Sequence, residues 1–379
     1  MQKVDVIIVG TGPAGAFAAY TAAAAGRSVL LVEKECLPRY KTCGGGLVWR
    51  GRKLLPFDIS PAIEREFTRA HVYFEHLPDP VFATREEPIV TMVMRDTFDQ
   101  LIVEEARKLG AELLEQAAVT AVRETAEGVE VDTKKGTYTG SYLIAADGML
   151  SPTAKLAGFK DDRQLIPAIE YEVGVSEADF ARLAQEVRFD VDAIPKGYGW
   201  CFPKKNHLSI GVGTFERRKI NLRTYYQSYL KLLGIQETTF EEAHGFQVPI
   251  TPRSQGIAKG RVLLVGDAAG FADSLTAEGI SNALYTGKLA AEAIHADFHQ
   301  PQAVVQGFQA LLDASLIPEL GTSHILARMF YGQKTIRNFM LGTRLQEVCD
   351  VLTGVFMGER TYPVDMKKRA LQRIRQALF

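Results

Sequence analysis

The stretch VDVIIVGTGPAGAFAAY, residues 4–20, decides the fold of this chain of 379 residues. Its first six residues form a short β-branched apolar run, which is typical of a strand buried on both faces in a parallel sheet. Gly10, Gly12 and Gly15 follow at GxGxxG spacing. An alanine-rich run then leads to Gly26, a suitable helix C-cap, and alanine lets a helix lie close to a sheet. The stretch therefore predicts a strand, a glycine-rich turn and a helix.

The glycine-rich turn is suited to binding a phosphate. Glycines at this spacing permit a tight turn, close approach of a phosphate and close helix–sheet packing, and the helix beginning near Ala14 offers free N–H groups to a diphosphate. The next apolar run, residues 29–32, ends at Glu33. A carboxylate there can accept hydrogen bonds from ribose hydroxyls and repels a 2′-phosphate. The pattern predicts a dinucleotide site, for FAD or NAD; the alternative is a tight turn without ligand.

Composition excludes several other classes of protein. The chain is 46% hydrophobic and 23% charged, with a net charge of −1, which is typical of a globular protein and argues against general nucleic-acid binding. Its four cysteines form no CxxC pair, so we predict free thiols and no metal site. We find no secretory signal and no uninterrupted apolar run of 18 residues. These features predict a cytoplasmic protein of two or three domains.

Two later segments narrow the choice of dinucleotide. Residues 143–148 (LIAADG) and 264–270 (LVGDAAG) each end an apolar run in an acidic turn. With the glycine-rich turn, they resemble the GxGxxG, DG and GD motifs of glutathione-reductase-type FAD proteins, in the branch that contains the aromatic hydroxylases. The resemblance implies FAD, and it implies that Asp267 contacts the ribityl or diphosphate part. The alternative role for Asp267 is a helix cap.

The same resemblance carries over to further positions. Arg95 opens an Arg-x-x-x-Asp segment and would lie near the flavin and diphosphate, the alternative being a surface arginine paired with Asp99. The helix expected from Ile280 would point its positive end at the flavin. The remaining positions that the resemblance places at the cofactor are Cys43, Gly44, Gly46, Val119, Asp147, Gly266 and Gly279.

Two further motifs resemble a narrower family. Residues 38–47 read PRYKTCGGGL, and residues 195–203 read PKGYGWCFP. Both resemble the geranylgeranyl reductase family, whose members carry P-x-x-Y-x-W-x-F-P and a Cys-Gly-Gly loop on an FAD scaffold. On a strand, Tyr198, Trp200 and Phe202 share one face, which predicts an apolar wall for a substrate; ordinary sheet packing is the alternative.

The resemblance implies reduction of isolated double bonds in a polyprenyl lipid, with Cys43 beside the flavin as a candidate catalytic thiol. The alternative role of Cys43 is that of a small packing residue without a part in the chemistry. Since no second glycine fingerprint is present, we expect the external electron donor to be transiently bound NAD(P)H, ferredoxin or a similar carrier. An FAD-dependent monooxygenase is the main alternative function. A halogenase is disfavoured because the W-x-W-x-I-P motif of halogenases is absent, and a non-catalytic flavin-binding scaffold is disfavoured by the full motif set.

These features predict an α/β chain (α+β overall) with a Rossmann-type FAD-binding domain, an inserted antiparallel-sheet substrate domain and a helical C-terminal region. The predicted FAD domain comprises residues 1–70, 95–165 and 250–298, and the substrate domain comprises 71–94 and 166–249. The helical region, 299–379, ends in a segment, 366–379, with five cations and no acidic side chain. This segment predicts a basic amphipathic helix on an anionic membrane surface, or else a solvated helix packed on the protein.

Overall fold

The computed structural model describes residues 3–216 and 218–362. Its largest sheet has eight strands, of which six run in the order β17-β18-β11-β1-β2-β8, while β10 pairs with β11 and β9 pairs with β10. The five strands from β18 to β8 are mutually parallel, as expected of a dinucleotide-binding sheet. Numbered along the chain, the strands of this sheet are β1 (Val4–Val9), β2 (Val29–Val32), β8 (Glu112–Leu114), β9 (Val119–Glu124), β10 (Val129–Thr133), β11 (Gly136–Ala145), β17 (Ala258–Lys259) and β18 (Val262–Leu264).

A second sheet has seven strands in the order β16-β12-β15-β14-β13-β5-β6. Its pairs are antiparallel except β13 and β5, which run parallel. Its strands are β5 (Arg69–Phe74), β6 (Val81–Thr84), β12 (Leu165–Val175), β13 (Val187–Val191), β14 (Gly197–Pro203), β15 (Leu208–Thr214) and β16 (Thr238–Pro249). A third sheet pairs β3 (Gly46–Val48) and β4 (Ile63–Phe67) with β7 (Val90–Val93).

Helices pack on the large sheet and on the second sheet and continue through the C-terminal region. None of those in the described ranges is long and apolar enough to cross a membrane. The α-helices are α1 (Pro13–Ala24), α2 (Trp49–Arg52), α3 (Arg95–Lys108), α4 (Pro152–Leu156), α5 (Glu177–Leu183), α6 (Leu222–Leu232), α7 (Gly266–Ala269), α8 (Ile280–Ala296), α9 (Pro301–Ala314), α10 (Leu316–Gly332), α11 (Lys334–Leu341) and α12 (Leu345–Met357), with 3₁₀ turns at Ser60–Ala62 and Gly342–Arg344.

The main core explains the alanines of α1. Small side chains let this helix lie between the large sheet and α8 at close distance, since a Cβ added to Gly287 of α8 would stand 2.1 Å from the carbonyl oxygen of Ala14. Phe17 and six of the seven alanines of α1 are buried together with the apolar strands β1 and β2. The glycine-rich turn is therefore anchored on both sides by packed elements.

The structure confirms some of the predicted elements and contains others that were not predicted. The predicted fold class is confirmed, as are the helix at 280–296 and the hairpin of β10 and β11. The twelve-residue strand β16 was not predicted, and β13 was expected among antiparallel strands although it also pairs in parallel with β5. Strand β7, which the predicted limits assign to the substrate domain, pairs with β3 and β4 from the predicted FAD domain.

Candidate functional site

The glycine-rich turn lies at the carboxyl end of β1, against the end of β11. Gly10 has φ +100°, and a Cβ there would stand 2.5 Å from the carbonyl oxygen of Ala146. A Cβ on Gly15 would stand 1.9 Å from the carbonyl oxygen of Gly10. Side chains at these positions would force β1, α1 and β11 apart. Close approach of three backbones therefore requires the glycines, as the motif predicts.

Glu33 ties the turn to the end of β2. Its carboxylate accepts hydrogen bonds from the backbone N–H groups of Lys34 and Glu35 and from the Thr11 N–H, at 2.9–3.1 Å. The Thr11 hydroxyl donates at 2.5 Å and the Arg39 guanidinium at 3.3 Å. Burial raises the pKa of Glu33, but Arg39 and these hydrogen bonds outweigh burial and lower it overall. The carboxylate predicted to bind ribose is therefore ionised and already shared among protein donors.

Three cationic side chains surround the turn. Arg95 forms a bidentate pair with Asp99 at 2.7 and 2.8 Å, and Arg39 reaches the same carboxylate at 3.1 Å. Arg95 also interacts with the thiol of Cys43. A Cβ on Gly12 would stand 3.5 Å from Nη2 of Arg95. The side chain of Arg95 is only 10% exposed, so it is not the surface arginine of the alternative interpretation. It pairs with Asp99 and also faces the glycine-rich turn.

Lys41 is the third of these cations. Burial, followed by the neighbouring Arg95, lowers the pKa of this lysine, and Asp267 opposes that shift. Its ammonium therefore lies in the same electrostatic environment as Arg95 and Asp267. A diphosphate placed between the glycine-rich turn and these cations would supply the negative charge that favours a protonated Lys41.

The two predicted aspartates differ in their surroundings. Asp147 accepts hydrogen bonds from the Ser151 hydroxyl at 2.6 Å and the Thr153 N–H at 2.9 Å, so its carboxylate caps the start of α4. Asp267 lies in the first turn of α7, and its carboxylate accepts no hydrogen bond from residues 3–216 or 218–362. Gly266 precedes it and packs on Ala14. Asp267 therefore keeps its acceptor capacity for a ligand at the glycine-rich turn.

The N-terminus of α8 is partly satisfied within the protein. Gly279 is the N-cap and Ile280 the first helical residue. The carboxylate of Glu278 accepts a hydrogen bond from the Ser281 N–H at 2.7 Å, and Arg50 pairs with Glu278 at 3.4 Å. The helix end predicted to face the flavin therefore carries an acidic residue and its counter-ion, which reduces its net positive field.

The loop of residues 43–46 lies between this region and the second sheet. Gly45 has φ +68°, and a Cβ there would stand 2.0 Å from the carbonyl oxygen of Val93. The ammonium of Lys204, fully buried, donates to the carbonyl oxygens of Gly44 at 2.7 Å and Val93 at 3.0 Å. Burial lowers the pKa of Lys204. This lysine fastens the loop, including Cys43 and Gly46, to strand β7.

The predicted aromatic wall packs against the same loop. Tyr198, Trp200 and Phe202 lie on one face of β14, whereas Cys201 belongs to a separate apolar cluster on the other. A Cβ on Gly44 would stand 2.9 Å from the Phe202 ring and 3.2 Å from the indole nitrogen of Trp200. The alternation predicted from the sequence is confirmed. Two of the three rings, those of Trp200 and Phe202, are in direct contact with the glycine loop.

Helix α10 covers this wall from the C-terminal region. Tyr331 stacks on Phe215, with ring centroids 4.5 Å apart, and on Tyr198 at 6.3 Å. Its hydroxyl donates to the carbonyl oxygen of Leu275, and the Tyr198 hydroxyl donates to that of Thr276, at 2.9 and 2.7 Å. The aromatic face is therefore enclosed by residues from the second sheet, the 271–279 loop and α10.

These features fit FAD. The glycine-rich turn has no room for a side chain at Gly10 or Gly15, three cations lie near it, and Asp267 retains free acceptors. Val119 begins the strand beyond the Glu33 region, where Ala117 donates to the Glu33 carbonyl. Contact of Val119 with adenine stays a prediction.

Comparison with known proteins agrees with this fit. A model of the FAD-binding domain family matches residues 3–285. A digeranylgeranylglycerophospholipid reductase of Methanococcoides burtonii is 30% identical, over 87% of this chain and 84% of that protein. The chloroplastic geranylgeranyl diphosphate reductase of Arabidopsis thaliana is 28% identical, over 89% of this chain and 76% of its own length. The chain is a member of the geranylgeranyl reductase family.

This geranylgeranyl reductase family member is an FAD-dependent oxidoreductase. Its fold matches the crystal structure of a geranylgeranyl bacteriochlorophyll reductase-like protein from Thermoplasma acidophilum, with a TM-score of 0.83, 22% identity, and coverage of 98% of this chain and 100% of that one. A flavin-dependent brominase has the same fold at a TM-score of 0.75 and 20% identity, covering 99% and 100% of the two chains. The fold alone therefore does not select the reaction.

Sequence reasoning missed several site residues of this family member. Arg39 and Lys41 lie in the segment of residues 38–47 that contains the glycine loop, and Lys204 directly follows the aromatic motif. Their proximity to recognised motifs was a usable signal. Glu170 and Glu172 of β12 are also buried beside the loop of residues 43–46, but no sequence pattern marks them.

Proposed function

We propose that this protein reduces isolated C=C bonds of a polyprenyl lipid of the geranylgeranyl type. The observation that carries the proposal is the enclosed aromatic face of Tyr198, Trp200 and Phe202, in contact with the glycine loop of residues 44–46. An isoprenoid chain has no polar group to recognise, so contact with aromatic rings and exclusion of water are what such a substrate requires. The names of the relatives support the same class of substrate.

Each part of the site has a task in this reaction. Bound FAD supplies, when reduced, the hydride for one alkene carbon. The glycine-rich turn, Arg95 and Lys41 would hold the cofactor, and Lys204 keeps the glycine loop in a fixed position beside the aromatic face. Because an unactivated alkene reacts only when well aligned, the rings of Trp200 and Phe202 serve to orient the chain. Cys43 lies at the same loop, against Arg95, as a candidate for proton handling.

The direct test incubates the FAD-loaded protein with geranylgeranyl diphosphate and dithionite under argon and follows the lipid by mass. The expected product gains two hydrogens for each double bond reduced. A parallel reaction in air with NADPH measures oxygen uptake. Stoichiometric oxygen uptake with an oxygenated product would establish a monooxygenase instead. If no prenyl substrate gains hydrogen, the proposal is wrong. Replacing dithionite with NADPH or reduced ferredoxin then identifies the donor.

The basic segment 366–379 is part of the same proposal, although it lies outside the described residues. Its five cations would attract an anionic membrane that contains the lipid substrate. Sedimentation with phosphatidylglycerol vesicles compares the full chain with a chain ending at residue 365. We expect the full chain to pellet and the truncated chain to remain in the supernatant. Equal pelleting would discard the membrane role.

A further inference from the structure

One face of the second sheet carries an acid beside the aromatic wall. In the strand register, Trp200 of β14 stands opposite Gly211 of β15, and Gly211 stands opposite Glu170 of β12. Residues directly opposite each other in a sheet share a face. A Cβ on Gly211 would stand 2.1 Å from Cζ2 of Trp200, so the indole lies across β15. Because Gly211 has no side chain, the indole extends over β15 toward the strand that carries Glu170.

The carboxyl group of Glu170 is buried and only half satisfied. The residue is 0% exposed, and its Oε1 accepts a hydrogen bond from the Ser209 hydroxyl at 2.6 Å. Its Oε2 has no hydrogen-bond partner among the described residues, and the same holds for the buried indole nitrogen of Trp200. An ionised carboxylate would be poorly compensated here, whereas a protonated carboxyl group has an O–H to donate.

The charges around Glu170 support the protonated form. Burial and the neighbouring Glu172 raise the pKa of Glu170 to about 7, against the Ser209 hydroxyl, the Lys204 ammonium and the Cys43 amide, which lower it. Tyr40 and His244 complete its surroundings, from the loop before Cys43 and from β16. Near neutral pH the group can therefore both give and regain a proton.

A neighbour of this acid contacts a side chain that is partly exposed to solvent. Glu172, two residues along the same strand face, contacts the Nε2 atom of His207 at 3.1 Å, and the other ring nitrogen of His207 contacts Asn206 at 2.8 Å. The side chain of His207 is 13% exposed. The carboxylate nearest in charge to the buried acid is therefore in contact with a partly exposed imidazole.

We propose that Glu170 is the catalytic acid of the alkene reduction, which rests on the function proposed above. The O–H bond of its carboxyl group breaks, and the proton bonds to one alkene carbon with the π electron pair. The other alkene carbon receives the hydride, with its electron pair, from reduced FAD. The O–H electron pair stays on Glu170 as a carboxylate, which is reprotonated from solvent past His207 and Glu172.

The first experiment compares Glu170→Gln with the wild type in a single turnover of geranylgeranyl diphosphate by the dithionite-reduced, FAD-loaded protein. We expect a loss of about 10²- to 10⁴-fold in rate with unchanged FAD content. Glu177→Gln is the matched control because Glu177 is exposed on α5. Infrared difference spectra of the oxidised protein provide a readout without turnover. The wild type and the control should show a carboxylic-acid C=O band that titrates near pH 7 and is absent from Glu170→Gln.

Two neighbouring substitutions should move that titration in opposite directions. Ser209→Ala removes a hydrogen bond to the carboxylate, so the pH at which the single-turnover rate falls should rise. Glu172→Gln removes a like charge, so the pH at which the single-turnover rate falls should be lower. Because a single turnover needs no reprotonation of Glu170, the effect of this substitution on proton supply does not enter the measurement. These variants keep the proposal testable if Glu170→Gln does not fold.

If the wild type is active and the Glu170→Gln variant keeps the same rate, the role of Glu170 is overturned while the proposed function stands. The same follows if neither neighbouring substitution changes the pH profile. Absence of the titrating infrared band also overturns it. A wild type that reduces no prenyl substrate overturns the proposed function as well.

Discussion

Thr11 and Glu33 are joined by two hydrogen bonds, from the Thr11 N–H at 3.1 Å and the Thr11 hydroxyl at 2.5 Å to one carboxylate oxygen of Glu33. They connect the glycine-rich turn after β1 to the end of β2. Because the pKa of Glu33 is lowered in the folded protein, this connection is intact above the usual pKa of a glutamate. Its contribution to stability is lost as the pH falls below that range and the carboxylate is protonated.

Glu33→Gln should weaken FAD binding. The amide keeps the size of the side chain but removes the charge paired with Arg39 and half of the acceptor capacity. Hydrogen bonds to a charged group contribute about 1.5–3 kcal/mol, so the dissociation constant should rise roughly 10- to 100-fold. Fluorescence titration of the apoprotein with FAD measures this. Glu35→Gln, an exposed neighbour, should bind like the wild type; equal affinity in both variants would contradict the prediction.

Asp99→Asn should destabilise the apoprotein more than the FAD-bound protein. Asp99 is fully buried and is the shared partner of Arg39 and Arg95, and breaking such a pair costs about 3–5 kcal/mol. A bound diphosphate would partly replace the missing charge. Urea unfolding with and without FAD tests this.

The control for this measurement is Asp132→Asn, since Asp132 forms an exposed bidentate pair with Arg123. Removing that solvent-screened pair should have little effect on either form. An equal loss from Asp99→Asn with and without FAD would argue against a diphosphate near these cations.

Gly45→Ala should abolish FAD retention, whereas Gly110→Ala should not. Both glycines have positive φ, +68° and +99°, so both substitutions carry a left-handed backbone cost of about 1–2 kcal/mol. Only at Gly45 would the new Cβ meet the Val93 carbonyl, 2.0 Å away, while Gly110 has open space. FAD content after gel filtration and the midpoint of thermal unfolding measure the difference. Equal losses in the two variants would mean that the contact with β7 is unimportant.

Glu170 should make stability fall as the pH rises from 4.5 to 7. Its pKa is raised from 4.5 to about 7 on folding, so the unfolded chain releases this proton first. Stability due to this group is complete below 4.5 and declines by about 3 kcal/mol up to pH 7. Urea unfolding of the wild type and Glu170→Gln at several pH values should give curves that diverge by that amount, while Glu177→Gln should parallel the wild type. Parallel curves for Glu170→Gln would show that its pKa is not raised.

The part of the site that was predicted depends on short-range patterns. The glycine-rich turn, Glu33 and the alternation of Tyr198, Trp200 and Phe202 follow from backbone sterics and strand periodicity over a few residues. The pairing of Arg95 with Asp99 follows from helical spacing, but its burial does not. Burial depends on what packs against a helix, which spacing does not contain.

The amino-acid sequence by itself determined the FAD-binding scaffold, because each of its motifs is a local geometric requirement of one strand, turn or helix. Only the tertiary structure decided which distant groups meet. Glu170 and Cys43 are 127 positions apart along the chain, and Lys204 is 160 residues from Gly44. Strand register and loop packing bring these groups together, and burial then changes their pKa values. Such long-range contacts leave no periodic pattern along the chain, so the buried acid beside the aromatic face was visible only in the fold.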